Sequence, residues 1–297
     1  MEMTGMIETL RILNPAPGIF AYYDGRIAGR RLHSEAQNWL DDGAYSLGIA
    51  SYAIVDGDEA LIYDTHISLD HARAIRAHVE SLGARDIRVV LSHWHDDHIA
   101  GNAVFADCEI IALNLTAERL GENRAKIERA DPPISPLVMP VTLFDGRLDL
   151  SVGNRRVELH HFAIHSADGN VIWLPEERLM LAGDTLEDTI TYISEASEIG
   201  RHIGELDRMA TFPIESILPS HGDPQRIAEG GYETSLIGAN RSYLARLSDA
   251  VANGEEIDAS LKSFIAGDIT SGAVIYFEPY EPVHAKNIAA VKSVSRG

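Results

Sequence analysis

Apolar and polar positions along this chain alternate with two different periods, and the switches between them mark out the expected elements. Ser46 to Val55 and Ala60 to Tyr63 read as strands joined by the turn Asp56-Gly57-Asp58, a hairpin pattern. The period then lengthens: Ala72, Ile75, Val79 and Leu82 recur at helical spacing, which predicts a helix over Asp70 to Leu82 stopped by Gly83. Ile87 to Leu91 is apolar apart from Arg88, as in a strand buried on both faces. A short helix from Gly101 to Ala106, a strand from Glu109 to Leu113 and a charged helix from Thr116 to Ala130 follow. Asp131 to Pro140 holds four prolines, which forbid helix or central strand, interleaved with Ile134, Leu137, Val138 and Met139. This stretch is expected either to cover an active site or to pack as a surface loop.

The second half repeats the strand-rich scheme. Leu148 to Val152, Arg156 to Phe162, Asn170 to Leu174, Leu179 to Ala182 and Ser216 to Pro219 read as strands, with a helix over Glu198 to Ala210. Two β-rich halves, each with helices, predict an α/β fold of two sheets packed face to face with helices outside. From Gly231 onward the pattern is mainly helical, through Leu247 and Val251 and again at Leu261 and Phe264. The expected division is therefore a catalytic domain over 1–230 and a mainly helical C-terminal extension over 231–297 packed on it.

Composition narrows the function classes. Hydrophobic residues at 45% and charged residues at 24% of 297 positions are those of an ordinary globular protein with a sizeable core. A formal net charge of −20 repels phosphate backbones and anionic lipid, so neither nucleic acid nor membrane is an expected partner. No apolar run is long enough to cross a bilayer, and the acidic start at Met1 to Met6 lacks a signal peptide's basic and apolar stretches, so a cytoplasmic location is expected. The remaining partner is a small-molecule substrate, with assembly as a homo-oligomer left open. Cys108 is the only cysteine, excludes an intramolecular disulfide, and is expected as a buried small hydrophobe.

Chemistry concentrates in Ser92-His93-Trp94-His95-Asp96-Asp97-His98-Ile99-Ala100-Gly101, where three histidines and two aspartates occupy six positions. His93 and His95 alternate in an extended stretch and point the same way, while Asp97 and His98, as a helix begins, face a neighbouring point. Imidazole and carboxylate are good zinc ligands, and three protein ligands with an open position make a catalytic site. Asp96 is left out of the ligand set. His165, Asp184 and His221 each follow a predicted strand beside small residues, where the backbone can approach a common point. Trp94 either walls the pocket or packs beneath the loop. His33, His66, His71, His78, His160, His161 and His202 are expected in structural roles, whereas Tyr192, Tyr276, Tyr280 and His284 are candidate substrate-binding residues. For the tail residues among these, anchoring the tail to the core is the stronger expectation.

The ordered set resembles the metallo-β-lactamase superfamily, with its His-x-His-x-Asp-His motif, a later histidine, an acidic residue after an apolar strand and Gly, and a final histidine. The resemblance covers roughly residues 45 to 225 and implies an αββα sandwich plus the C-terminal extension. It further implies two metal ions, zinc foremost with iron or manganese as alternatives: His93, His95 and His165 on the first, Asp97, His98 and His221 on the second, and Asp184 bridging. Asp64, before Thr65, looks like the superfamily's strand-ending aspartate that supports the metal loop from behind. The true β-lactamases usually carry Cys or Ser at the position of Asp184, which favours the dinuclear hydrolase branches. The lactonase branch has a tyrosine soon after the bridging aspartate, but here none comes before Tyr192.

Two cations flanking one water lower its pKa toward neutrality. The expected activity is hydrolysis in which a bridging hydroxide, oriented by the catalytic carboxylate Asp97, attacks an ester, lactone, thioester or amide carbonyl of a small molecule. The competing readings are a mononuclear iron sulfur dioxygenase of the same fold and a β-lactamase-like activity.

Overall fold

The computed structural model describes residues 5–294. Seven strands, β1 (Arg11–Ala16), β2 (Ile19–Asp24), β3 (Ile49–Asp56), β4 (Glu59–Tyr63), β5 (Asp86–Val90), β6 (Glu109–Leu113) and β7 (Thr142–Phe144), form one sheet in sequence order. Pairing is antiparallel from β1 to β4 and parallel from β4 to β7. The second sheet runs β12-β11-β10-β9-β8, from β8 (Arg147–Val152), β9 (Arg155–His161), β10 (Asn170–Leu174), β11 (Leu179–Gly183) and β12 (Ser216–Pro219).

Strand alternation separates the two faces of the larger sheet. Tyr52, Ile54, Leu61, Tyr63, Val90 and Ile111 point into a core shared with the smaller sheet, while Ala53, Ile62, Val89 and Ile110 point the other way. That outer face is covered by Ala72, Ile75 and Val79 of α1 (Leu69–Ser81) and, beyond the short α2 (Asp96–Ile99), by Leu120 and Ile127 of α3 (Asn114–Ile127). The period-3.6 pattern thus becomes a packed stripe. Every residue of β10 and β11 is buried, and their core takes in Leu206 and Met209 of α4 (Ile199–Met209). After α5 (Pro224–Ala228), it continues without a break into Leu236, Tyr243 and Leu247 of α6 (Ser235–Asn253). Beyond α7 (Leu261–Phe264) and α8 (Ala266–Thr270), Val283 and Val291 of α9 (Glu281–Val294) join the same core. This is the expected α/β sandwich of two packed sheets, with helices outside and more at the C-terminal end. No helix among the described residues is long and apolar enough to cross a membrane.

Some expectations need correcting. β1 and β2 extend the larger sheet ahead of the hairpin, where the sequence pattern showed no strand. The strand expected from Ser46 starts at Ile49, because 40–45 is a π-helical turn and Gly48 takes a positive φ of 77° to enter the sheet. The proline-rich stretch packs mainly as a surface loop, with Ile134 and Leu137 buried in the outer core and Pro132 O accepting from Trp39 Nε1, and its first residue, Asp131, reaches the edge of the cavity before the site. Cys108 is half-buried rather than buried, and partial burial raises its thiol pKa.

Candidate metal centre

The functional side chains leave the ends of the strands at one edge of the sandwich. β5 ends at Val90 and the chain runs through Ser92 into the motif, with α2 beginning at Asp96. Gly101 makes the tight turn-in possible: a Cβ there would lie 2.1 Å from Thr65 O and 2.4 Å from Ala72 Cβ. Thr65 then clasps α2, its N–H donating to His98 O at 2.8 Å and its hydroxyl to Asn102 Oδ1 at 2.8 Å. Asp184 directly follows β11 and His221 closely follows β12, neighbouring parallel strands of the second sheet.

The seven expected ligands converge. His95 Nδ1 lies 2.8 Å from His93 Nε2 and 3.0 Å from His165 Nε2, so these three imidazoles turn one nitrogen each toward a common point. Asp97, His98 and His221 form a second group, with Asp97 oxygens 3.5 Å from His98 Nε2 and 3.4 Å from His221 Nε2. Asp184 Oδ2 stands between the groups, 3.2 Å from His98, 3.5 Å from His221, 3.7 Å from His165 and 3.8 Å from His93. Each triad offers one ligand atom per residue with all three atoms within 4.8 Å of one another, close enough to share an ion.

The fold also decides which nitrogen of each ring is free. His221 Nδ1 donates to Gly48 O at 2.7 Å and His165 Nδ1 to Tyr192 O at 3.0 Å. A carbonyl can only accept, so a proton sits on that side and Nε2 is the nitrogen left to face a metal. Asp64 fixes His98 in the same way: Oδ2 lies 2.7 Å from His98 Nδ1, while Oδ1 accepts from Ser92 N at 2.7 Å. Ser92 Oγ meets His93 Nδ1 at 2.9 Å. Asp64 and His165 both adopt left-handed backbone, φ 67° and 65°, a conformation that carries strain for residues with a Cβ and gathers at functional sites.

A sequence model of the metallo-beta-lactamase superfamily matches residues 45–221, which carry all seven converging side chains. The chain belongs to that superfamily. A Caenorhabditis elegans protein described as a beta-lactamase-like protein 2 homolog is 23% identical over 183 residues, 61% of this chain, which spans 58% of that relative's length. The fold matches solved metallo-beta-lactamases, one from Pontibacter korlensis at TM-score 0.62 and 16% identity, covering 80% of this chain and 99% of that one. It also matches DIM-1 metallo-beta-lactamase exposed to ceftazidime at TM-score 0.60 and 20% identity, covering 80% and 97%.

Electrostatics within this metallo-beta-lactamase-fold centre follow from crowding charges in a dry place. Burial holds His93 well below the usual imidazole range and pushes His95 down to about 3, with His98 adding to the effect on the former and His165 on the latter. Burial would lower His98 and His221 too, but Asp184 outweighs it and, with Asp97, holds both well above the usual value. Asp97 is held near 2: burial opposes ionisation, and His98 and His221 reverse it. Burial opposes charge on His165 too, but Glu187 and Asp184 outweigh it, so the carboxylates hold protons on three of the rings that a bound cation would displace. Asp184 Oδ1 is buried and has no hydrogen-bond partner among the described residues, as expected of a carboxylate oxygen reserved for a metal. The donor set of imidazole nitrogens and carboxylate oxygens fits a metal centre.

In front of the centre lies a cavity of about 980 Å³. Trp94, half-buried, lines it and sets its ring edge-on to His95, with centroids 5.1 Å apart. Of the tyrosine and histidine candidates, Tyr192 lines the cavity, whereas Tyr276, Tyr280 and His284 do not. His284 is fully buried between Tyr243 Oη at 2.9 Å and Asp258 O at 2.9 Å, and Tyr276 donates to Glu281. His284 and Tyr280 thereby anchor the C-terminal segment, because a buried imidazole or phenol takes the nearest fixed partner, whereas half-buried Tyr276 bonds within the tail. Among the structural histidines, His66 and His71 stack at 4.4 Å and His71 pairs with Asp24 at 2.9 Å.

One acidic residue escaped the sequence reading. Glu187, buried at the cavity's edge, accepts from Tyr192 N at 2.8 Å and from Tyr280 Oη at 3.2 Å, and lies 3.5 Å from His165 Nδ1. With His165 and Asp184 it forms a further group able to share an ion. An acid three positions after Asp184 in an irregular segment has no periodicity to betray it.

Proposed function

We propose that this chain is a dinuclear metal-dependent hydrolase that cleaves an ester, lactone, thioester or amide carbonyl of a small molecule. One observation carries the reading: seven side chains from four separate stretches turn imidazole nitrogens and carboxylate oxygens onto two adjacent points, with Asp184 between them and its Oδ1 unpaired. His93, His95 and His165 would hold one ion, and Asp97, His98 and His221 the other, with Asp184 shared. Zinc ions held there would supply a water acidified toward neutral pH and a Lewis acid for the carbonyl oxygen.

The chain's own residues do the rest. Gly48, Tyr192, Ser92 and Asp64 keep the imidazoles in register, so little reorganisation is needed when substrate arrives. Asp97, half-buried and facing the cavity, would orient the attacking water and pass a proton on to the leaving group. Tyr192 and Trp94 wall the cavity and orient the acyl body. The family is generally hydrolytic, and an aspartate at position 184 favours this reading over β-lactam turnover.

The test begins with metal analysis of protein purified without added metal, followed by a zinc-loaded screen across lactones, thioesters, phosphodiesters and β-lactams. Two zinc equivalents and hydrolysis that Asp184→Asn abolishes are expected. A single iron with oxygen uptake points to the dioxygenase, and full activity in a metal-loaded Asp184→Asn chain overturns the scheme.

A further inference from the structure

The cavity before the centre gathers positive charge in a chain otherwise short of it. The sequence has four lysines against a net charge of −20. Two of them, Lys126 on α3 and Lys286 on α9, line this one cavity together with Arg129. All three are exposed, and among the described residues no side-chain hydrogen bond or ion pair engages them. Lys126 Nζ stands 5.7 Å from the centroid of the Trp94 ring, above the apolar wall.

The acids of the lining are mostly spoken for. Asp42 takes Arg31 at 2.6 Å, Asp131 takes His33 at 2.7 Å, and Glu187 holds Tyr280 and Tyr192. Asp97 and Asp184 belong to the metal-type cluster. Asp96 is the exception, a half-buried carboxylate in the field of Lys126 but outside ion-pair distance of it. Three cations without a hydrogen-bond or ion-pair partner among the described residues thus stand at the mouth, with Trp39, Leu47, Trp94 and Tyr192 lining the same cavity.

A surface this acidic repels anions at a distance, and cations clustered on low-dielectric walls reverse the field locally. Neutral and cationic substrates gain nothing from that arrangement. We propose that the substrate carries an anionic tail group, separated from its scissile carbonyl by an apolar or aromatic body, and that Lys126 and Lys286 bind the tail. The proposal names the substrate class of the hydrolase site and rests on that reading.

Binding separates the proposal from turnover. Zinc-loaded wild type and a Lys126→Ala, Lys286→Ala double variant are titrated calorimetrically with 4-phenylbutyrate, 3-phenylpropyl phosphate and neutral 4-phenylbutyramide. Both lysines are exposed, so the fold is not at risk. Wild type is expected to bind at least one of the two anions about tenfold more tightly than the amide at low salt, the scale of two rim charges. The double variant should lose that preference while keeping its affinity for the amide. A carboxylate-only or phosphate-only preference identifies the tail, whereas anions that bind the double variant as tightly as wild type overturn the proposal. In turnover, the 4-nitrophenyl half-ester of glutaric acid should show a lower KM than 4-nitrophenyl valerate in wild type alone, with kcat unchanged by the substitutions. If neither ester is hydrolysed, the hydrolase reading fails for this class while the binding comparison still decides the lysines' role.

Discussion

Tyr280 and Glu187, 93 positions apart, share a buried hydrogen bond of 3.2 Å that ties the C-terminal segment to the edge of the metal-type centre. Glu187 passes that restraint to Tyr192 N and toward His165. Tyr280→Phe should cost about 1 kcal/mol of stability, the net worth of one hydrogen bond. Glu187→Gln should weaken uptake of the ion on the His165 side by roughly 10- to 100-fold, as outer-shell changes do. Competition against a chromophoric chelator measures this, and wild-type affinity in Glu187→Gln would reduce Glu187 to a structural acceptor.

Asp64 offers a cleaner probe of the same kind. Its side chain is fully buried and holds both Ser92 N and His98 Nδ1. Asn tolerates the left-handed backbone at this position, so Asp64→Asn removes charge without adding strain. Metal affinity should drop by about 10- to 100-fold with the circular dichroism spectrum unchanged. Calorimetric metal titration decides it.

The histidine motif and its later partners were legible because seven metal-type residues in fixed order have few other uses. Their supports were not. Gly48 and Tyr192 act through backbone carbonyls, which no side-chain pattern encodes, and Glu187 hides in the irregular stretch between β11 and α4. The strands from β3 onward were legible as alternating or continuous apolar runs, except for three-residue β7, which is too short to show a pattern. β1 escaped because its Asn14 and Pro15 interrupt the apolar run. The cavity's lysines, some 160 positions apart in sequence, meet only because α9 folds back onto the sandwich, so no charge cluster appeared in the sequence.

Asp188 makes stability depend on pH. Burial raises its pKa to about 6, although Tyr232 Oη at 2.7 Å and Ile275 N at 2.8 Å favour the charged form. Between its unfolded value near 4 and about 6, the folded chain binds the extra proton, so this residue's contribution to stability falls as pH rises through that window. The loss by pH 7 is on the order of 3 kcal/mol. Urea unfolding of metal-free wild type and Asp188→Asn at pH 4 and pH 7 should show the difference shifting against wild type at the higher pH. A constant difference would mean that Asp188 ionises normally.

Gly101→Ala should unfold readily. The added methyl would overlap Thr65 O and the Ala72 Cβ, both on fixed backbone. A loss of about 3 kcal/mol or more is expected from such overpacking, read as a fall in Tm. A wild-type Tm would show that α2 can shift to make room.

The parallel pairing of β11 with β12 sets Gly183 opposite Pro219, so Asp184 and His221 emerge side by side from one ledge of hydrogen-bonded backbone. Slippage by one residue would turn those side chains toward the opposite face. The reactive hardware is thereby bolted to the chassis, whereas the segment after Asp184 and the helices beyond β12 are bodywork. A lineage built on this plan can reshape what it admits by rewriting those parts, leaving the anchoring ledge as it stands.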